Sequence, residues 1–401
     1  MFLDALTFQL GYNASLVGLG AALLGVAAGA TGTFLFLRKR ALVSDAISHA
    51  TLPGVALAFI AMSLAGFDGR NLGILLAGSA VSAAAGLIAV QWLSSQTRLS
   101  EDAAIGAVLS VFFGFGIVLL TVIQNMATSG QAGLEGLLLG STAGMLFSDA
   151  VLIAAGGAAA LALVLVFRRP MTIASFDPGY ARSAGIDVGR TDLIMMGLVM
   201  GVTVIGLKVV GLILIVALLI IPPVAARFWT ERADRVALIA GGIGGVSGWV
   251  GAAISASTPN LPTGPIIVLT AFGLFCASLL FAPARGLVAA GFRHRRFQRG
   301  VHIRQGLLSL AQGHPIYEPL TIRLLTAERL ARADGVATDD GRARAARALR
   351  DETRWQVARR TPEFELAAAR YDGLTQIEDV LTPDQIAQID AQIGPPKGVP
   401  A

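Results

Sequence analysis

SDAISHATLPG, residues 44–54, interrupts an apolar run over 42–64 that is otherwise long enough to cross a bilayer. Asp45 and His49 stand at i and i+4, so a helix places both on one face. A charged side chain near the bilayer centre costs about 2.5–3.5 kcal/mol on insertion scales, so an ionisable pair in such a segment points to an ion or proton path. Pro53 has no N–H for the carbonyl four residues back, that of His49, and Gly54 adds backbone freedom. Pro53 and Gly54 therefore read as helix-breaking residues beside a carboxylate, an imidazole and a freed carbonyl. Such groups suit Mn²⁺, Fe²⁺ or Zn²⁺. A plainer alternative stands beside this one: Asp45 is a helix-start carboxylate paired with the Arg38–Arg40 cluster. Two ligands are too few for a closed metal site, and a second copy across a dimer axis would supply another pair.

The same apolar character extends in both directions. From Ser15 to Ala284 the chain is a series of apolar runs, and 54% of its 401 residues are hydrophobic. Nine crossings are expected, at 15–37, 42–64, 72–93, 103–124, 147–167, 192–207, 209–226, 236–256 and 265–282, or eight if 192–226 is continuous. The expected class is an all-α polytopic membrane protein. No cleavable signal peptide is expected at the N-terminus. The glycines of GGIGGVSGWVGAA (241–253) suggest close helix packing, although glycine is also simply common in membrane helices. LEGLLLGSTAGM (134–145) is apolar but too short to span, and reads as a re-entrant or interfacial segment. Glu135 lines an outer vestibule or sits on a solvated rim. Pro222–Pro223 kinks the seventh crossing.

One set of loops holds Arg38, Lys39, Arg40, Arg98, Arg168, Arg169, Arg182, Arg190, Arg227, Arg232 and Arg235; the other holds Arg70 and Lys208. The first set is expected in the cytoplasm, which puts the N-terminus outside and the tail inside. The single cysteine, Cys276, leaves no intrachain disulfide framework.

In SFDPGYARSAGID (175–187), Asp177 caps a short helix, Pro178 opens it, Gly179, Tyr180, Ala181 and Arg182 form its body, and Gly185 stops it. Such a helix is a plain connector or a docking peg for a soluble partner. No phosphate-cradling loop occurs anywhere in the chain, so ATP hydrolysis is not expected of it; any ATPase would be a separate subunit.

Beyond Arg285 the composition becomes charged. The expected divisions are a membrane domain over 1–284, a basic linker over 285–299, a small cytoplasmic α-rich winged-helix-like domain over 300–393 and a disordered tail over 394–401.

LRKRALVSDAISHATLPGVALAFI (37–60), SFDPGYARSAGID, VGLILIVALLIIPPVAARF (210–228) and PTGPIIVLTAFGLF (262–275) resemble, in this order, segments of the permease subunits of bacterial ABC importers for Zn²⁺, Mn²⁺ and Fe²⁺. The resemblance implies a non-enzymatic transport subunit of the inner membrane with a divalent metal as its substrate, Mn²⁺ favoured, and no permanently bound cofactor. It also implies a second permease subunit, a cytoplasmic ATP-binding subunit docked on the 177–185 loop, an extracytoplasmic metal-binding protein and surrounding lipid. Asp45 and His49 fall where that family coordinates metal. The tail, 306–356 and 371–389, resembles the winged-helix part of metal-responsive repressors, yet its histidines, His294, His302 and His314, lie upstream of the expected ligands. A docking or regulatory role is expected for it, and nucleic acid is not an expected partner. Two other functions fit the same residues: a secondary metal or proton transporter or channel using Asp45 and His49 as a relay, and a membrane-tethered regulator.

Overall fold

The computed structural model describes residues 2–7, 9, 11–66, 71–125, 145–258 and 261–393. The chain divides into two compact units, Met1–Ala289 and Ala290–Ala401. Both are helical. Among the described residues, the β-structure is a single isolated antiparallel bridge between Ala331 and Ala337.

The first unit contains α1 (Phe2–Leu6), α2 (Tyr12–Leu37), α3 (Leu42–Leu64), α4 (Leu72–Gln96), α5 (Glu101–Asn125), α6 (Phe147–Phe176), α7 (Pro178–Ser183), α8 (Val188–Val210), α9 (Leu212–Arg227), α10 (Ala233–Ser257) and α11 (Thr263–Phe281). Among the described residues, eight helices are long and apolar enough to cross a membrane, and Leu214–Arg227 is apolar but shorter. The protein is a multi-pass membrane protein. The expected segments 192–207 and 209–226 are separate helices because the chain turns at Gly211, whose φ of 82° and ψ of 168° suit a residue without a Cβ. At 16 residues, α9 rises about 24 Å, less than a full ~30 Å core.

α2 is the central helix. It is buried along most of its length against α6, α8, α9 and α10. Its glycines and alanines allow this. A Cβ on Gly25 would lie 2.1 Å from the Gly244 carbonyl oxygen, and one on Gly248 would lie 2.2 Å from that of Ala21. The glycine run of α10 thus serves backbone-to-backbone packing against α2. On α4, α5 and α6, large apolar side chains such as Val81, Val111 and Val166 remain exposed. That outer surface is one for an apolar solvent or a second apolar surface.

Of the 134–145 segment only Met145 is described; Glu135, Arg70 and the 394–401 tail lie outside the described residues. Asp149 is buried and accepts the Leu146 N–H at the start of α6, a helix-start role.

The second unit is built from the later part of α12 (Leu287–Gln312), α13 (Pro319–Ala327), α14 (Asp339–Arg360), α15 (Glu365–Ala368) and α16 (Pro383–Ile393). Thr338 caps α14 by accepting from Gly341 N–H at 3.1 Å. Leu307, Leu325 and Leu330 form one small core, and Trp355, Phe364, Ile377 and Ile389 form another. Trp355 Nε1 donates to the Thr375 carbonyl at 3.0 Å, which satisfies its buried polar atom. One expectation changes here. A winged-helix domain over 300–393 is not shown: among the described residues this unit has helices and the isolated Ala331–Ala337 bridge, and no sheet. The basic stretch over 285–299 is helical from Leu287 onward.

Candidate functional site

α3 begins one tight turn after α2. Lys39 occupies the left-handed region at φ 61°, so the chain reverses between Arg38 and Arg40 within a few residues. Four residues into α3 comes Asp45, and one turn later His49. His49 Nε2 lies 3.4 Å from Asp45 Oδ1, and the two side chains are 20% and 35% exposed. The i, i+4 spacing therefore does bring the pair together. His49 Nδ1 is buried and has no hydrogen-bond partner among the described residues. The ring meets Phe113 of α5 edge-on, centroids 4.9 Å apart. Neighbouring hydroxyls turn inward on their own helix: Ser48 Oγ donates to the Ser44 carbonyl and Thr51 Oγ1 to that of Ser48. The polar groups turned outward at this level are thus the carboxylate and the imidazole.

The helix is not broken at Pro53–Gly54. α3 continues to Leu64, and this corrects the helix-breaking role expected of both residues. Pro53 still has no N–H to offer the His49 carbonyl. Gly54 acts differently: a Cβ there would lie 2.1 Å from the Gly78 carbonyl oxygen of α4. It is a contact point between two helices.

The basic residues that could neutralise Asp45 are directed elsewhere. Arg38 donates through Nε to Asp192 Oδ1 at 3.1 Å and through Nη2 to Asp192 Oδ2 at 3.0 Å. Its Nη1 donates to the Ala174 carbonyl at 2.8 Å. Arg40 reaches Asp192 Oδ2 at 2.9 Å and Glu101 Oε1 at 2.7 Å. Asp192 lies on the second turn of α8, Ala174 on the last turn of α6, and Glu101 opens α5. Arg38 and Arg40 thus pair with Asp192 and Glu101 instead of Asp45, and Asp45 meets His49.

Between α6 and α8 runs the 177–185 loop. Asp177 Oδ1 accepts from Tyr180 N–H at 2.9 Å, Pro178 is the first residue of α7, and Gly185 adopts φ 78° after its end. These are the caps that the sequence suggests, with the helix ending at Ser183. Tyr180 is 61% exposed and Arg182 is exposed, whereas Ala181 is fully buried on Ala174 and Val188. α7 thus presents Gly179, Tyr180 and Arg182 outward and is held to the bundle by Ala181. A shallow cavity beside it is lined by Arg38, Arg40, Arg182, Asp187 and Asp192, so the charge network adjoins the base of the exposed helix.

Asp192 and Glu101 were not singled out in the sequence. The available signal was an acid, Asp192, at the basic end of a membrane helix, where an arginine partner is expected. Among the described residues, no group of three or more His, Cys, Asp or Glu side chains is arranged to hold a metal ion.

A helical bundle of this kind, with an ionisable pair on a membrane helix and a capped helix projecting from its basic side, defines a membrane transport subunit. The chain belongs to the ABC 3 transport family, whose family model matches residues 12–282. It is 40% identical over 309 residues to the manganese transport system membrane protein MntC of Bacillus subtilis (strain 168), covering 77% of this chain and 70% of that one. It is 38% identical over 285 residues to the zinc transport system membrane protein TroC of Treponema pallidum (strain Nichols), covering 71% and 94%. Among solved structures it is similar to PsaBC from Streptococcus pneumoniae in complex with Fab, with TM-score 0.60, 32% identity, and coverage of 71% and 96%.

Proposed function

We propose that this chain is the membrane-spanning permease subunit of an ATP-driven importer for a divalent transition metal, Mn²⁺ in first place, with Zn²⁺ and Fe²⁺ as alternatives. The observation that carries this is the Asp45–His49 pair at 3.4 Å on α3, with the adjacent arginines committed to other acids. Relatives named for manganese and zinc transport support a metal as the substrate. One carboxylate and one imidazole match a borderline divalent ion in type but not in number. A second permease subunit would complete the ligand set. An ATP-hydrolysing subunit would dock on Tyr180 and Arg182 of α7, and an extracytoplasmic metal-binding protein would deliver the ion. In this arrangement the N-terminus is outside the inner membrane and residues 300–393 form a cytoplasmic docking or regulatory domain, winged-helix-like in helix order.

Metal content of cells, measured by elemental analysis with and without this chain and with and without the ATPase subunit, tests the proposal. Accumulation that needs both is expected. Accumulation that persists without any ATPase would identify a secondary transporter instead.

A further inference from the structure

The C-terminal unit contains a cleft of about 700 Å³, lined by residues between Gly300 and Glu378. Its apolar floor includes Ile303, Leu307 and Leu374; its rim carries five arginines against two carboxylates, Asp351 and Glu378. Both carboxylates are already engaged. Asp351 accepts from Arg304 Nη2 at 2.8 Å, and Glu378 from Arg354 Nη1 at 3.4 Å. Arg354 also grips Asp390 with two hydrogen bonds, at 2.7 and 2.6 Å.

Arg344, Arg347 and Arg350 are left along one face of α14, at successive i, i+3 spacings. Arg344 approaches Asp340 and Glu328 only at 3.6 and 3.9 Å. Arg347 donates from Nε to the carbonyl of Ala343, at a long 3.4 Å. The charge of Arg350 also acts on Asp390, a carboxylate already held by Arg354. Like charges at this spacing repel, and a bound polyanion would relieve the repulsion. Guanidinium groups match phosphate oxygens as paired donors, and the neighbouring apolar floor suits a flat hydrophobic portion of the same ligand.

We propose that this cleft binds a soluble phosphate-bearing ligand of nucleotide type, its phosphates on Arg344, Arg347 and Arg350 and its base over Ile303, Leu307 and Leu374. The full chain in neutral-lipid nanodiscs is titrated with inorganic pyrophosphate and with ATP at constant ionic strength, by calorimetry and by hydrogen exchange. One saturable site per chain is expected, with exchange protection confined to 300–307, 344–354 and 374–378. ATP should bind more tightly than pyrophosphate. Arg347→Gln with Arg350→Gln should raise Kd about tenfold or more. The charge-matched pair Arg323→Gln with Arg332→Gln, outside the cleft, should leave it within about twofold. Equal affinities for the two probes would overturn the base contact and keep the phosphate site. Absence of saturable binding, protection elsewhere in the parental chain, or equal loss in both variant pairs would overturn the site. The parental chain alone decides the location, and none of these outcomes depends on the chain's transport activity.

Discussion

Arg38 grips Asp192 through two parallel hydrogen bonds, Nε to Oδ1 and Nη2 to Oδ2, and the same carboxylate also receives Arg40. The turn leading into α3 is thereby fixed to the second turn of α8, and through the Ala174 carbonyl to the end of α6. Those two helices flank α7. The segment carrying Asp45 and the exposed helix α7 share one anchor.

Removing that anchor leaves two guanidinium groups, 15% and 25% exposed, without their shared acid. Breaking such a pair from one side costs more than the pair contributes, on the order of 3 kcal/mol. Asp192→Ala should therefore lower the melting temperature of the purified protein clearly, and Asp192→Glu only in part. An unchanged melting curve for Asp192→Ala would show that the network is ornamental to stability.

On α7, adjacent residues should behave oppositely. Tyr180→Glu alters an exposed side chain, so its effect on stability should stay within about 0.5 kcal/mol while coupled transport or ATPase binding falls. Ala181→Glu forces a carboxylate between Ala174 and Val188 and should cost a few kcal/mol. Co-purification of the ATPase subunit, read beside thermal melting, separates the two. If Tyr180→Glu assembles and couples normally, α7 is a connector.

Within α10, Gly244 and Gly242 make a similar contrast. An added Cβ at 244 would lie 2.1 Å from the Gly25 carbonyl oxygen, whereas at 242 it meets nothing within 4 Å. Gly244→Ala should separate α2 from α10 and cost about 1–3 kcal/mol. Gly242→Ala should be neutral or stabilising by up to about 1 kcal/mol. Equal melting temperatures would contradict the close approach of the two backbones.

These contrasts also mark which features could be read in advance. The apolar runs, the i, i+4 facing of Asp45 and His49, and the caps of α7 depend on neighbours within one helical turn. The Arg38–Asp192 pair joins residues 154 positions apart, and only the packing of α2 against α8 brings them together. Gly54 shows the limit of local rules. Beside a proline it reads as a weak point, yet the fold uses its missing Cβ to admit α4. The expected wing is not shown for a similar reason: Gly335 turns the chain at φ 84°, but the flanking residues pair only once, at Ala331–Ala337.

Tyr371 should titrate late. Burial first, then its hydrogen bond to Glu352, pushes the phenol above its ordinary value of 10.0, against the opposing charge of Arg304. A raised folded value means that the neutral phenol stabilises the fold below pH 10 and that this contribution disappears as pH rises through the folded value. Tyr317, 88% exposed, provides the internal reference. Absorbance titration of Tyr317→Phe and Tyr371→Phe should assign the later-ionising component to Tyr371. Simultaneous ionisation would show that the Glu352 contact does not persist in solution.

The last prediction concerns the pair on α3. Asp45→Asn keeps the shape and removes the charge; His49→Gln keeps polarity and removes the imidazole. If the pair ligates the travelling ion, either change should cut metal uptake about tenfold or more, the usual scale for losing or misplacing a ligand. Ser48→Ala is the matched control. Its hydroxyl lies between the two in sequence but is buried and bonded to the Ser44 carbonyl, so uptake should stay near the parental rate. Expression, assembly and basal ATPase of the complex must be measured on the same preparations, because a variant that fails to assemble loses uptake for another reason. The outward facing of the pair and the unpartnered His49 Nδ1 explain why a transporter would keep two costly groups in an apolar helix. Parental uptake in both variants would make Asp45 and His49 a structural pair and move the ion path to another face of the bundle.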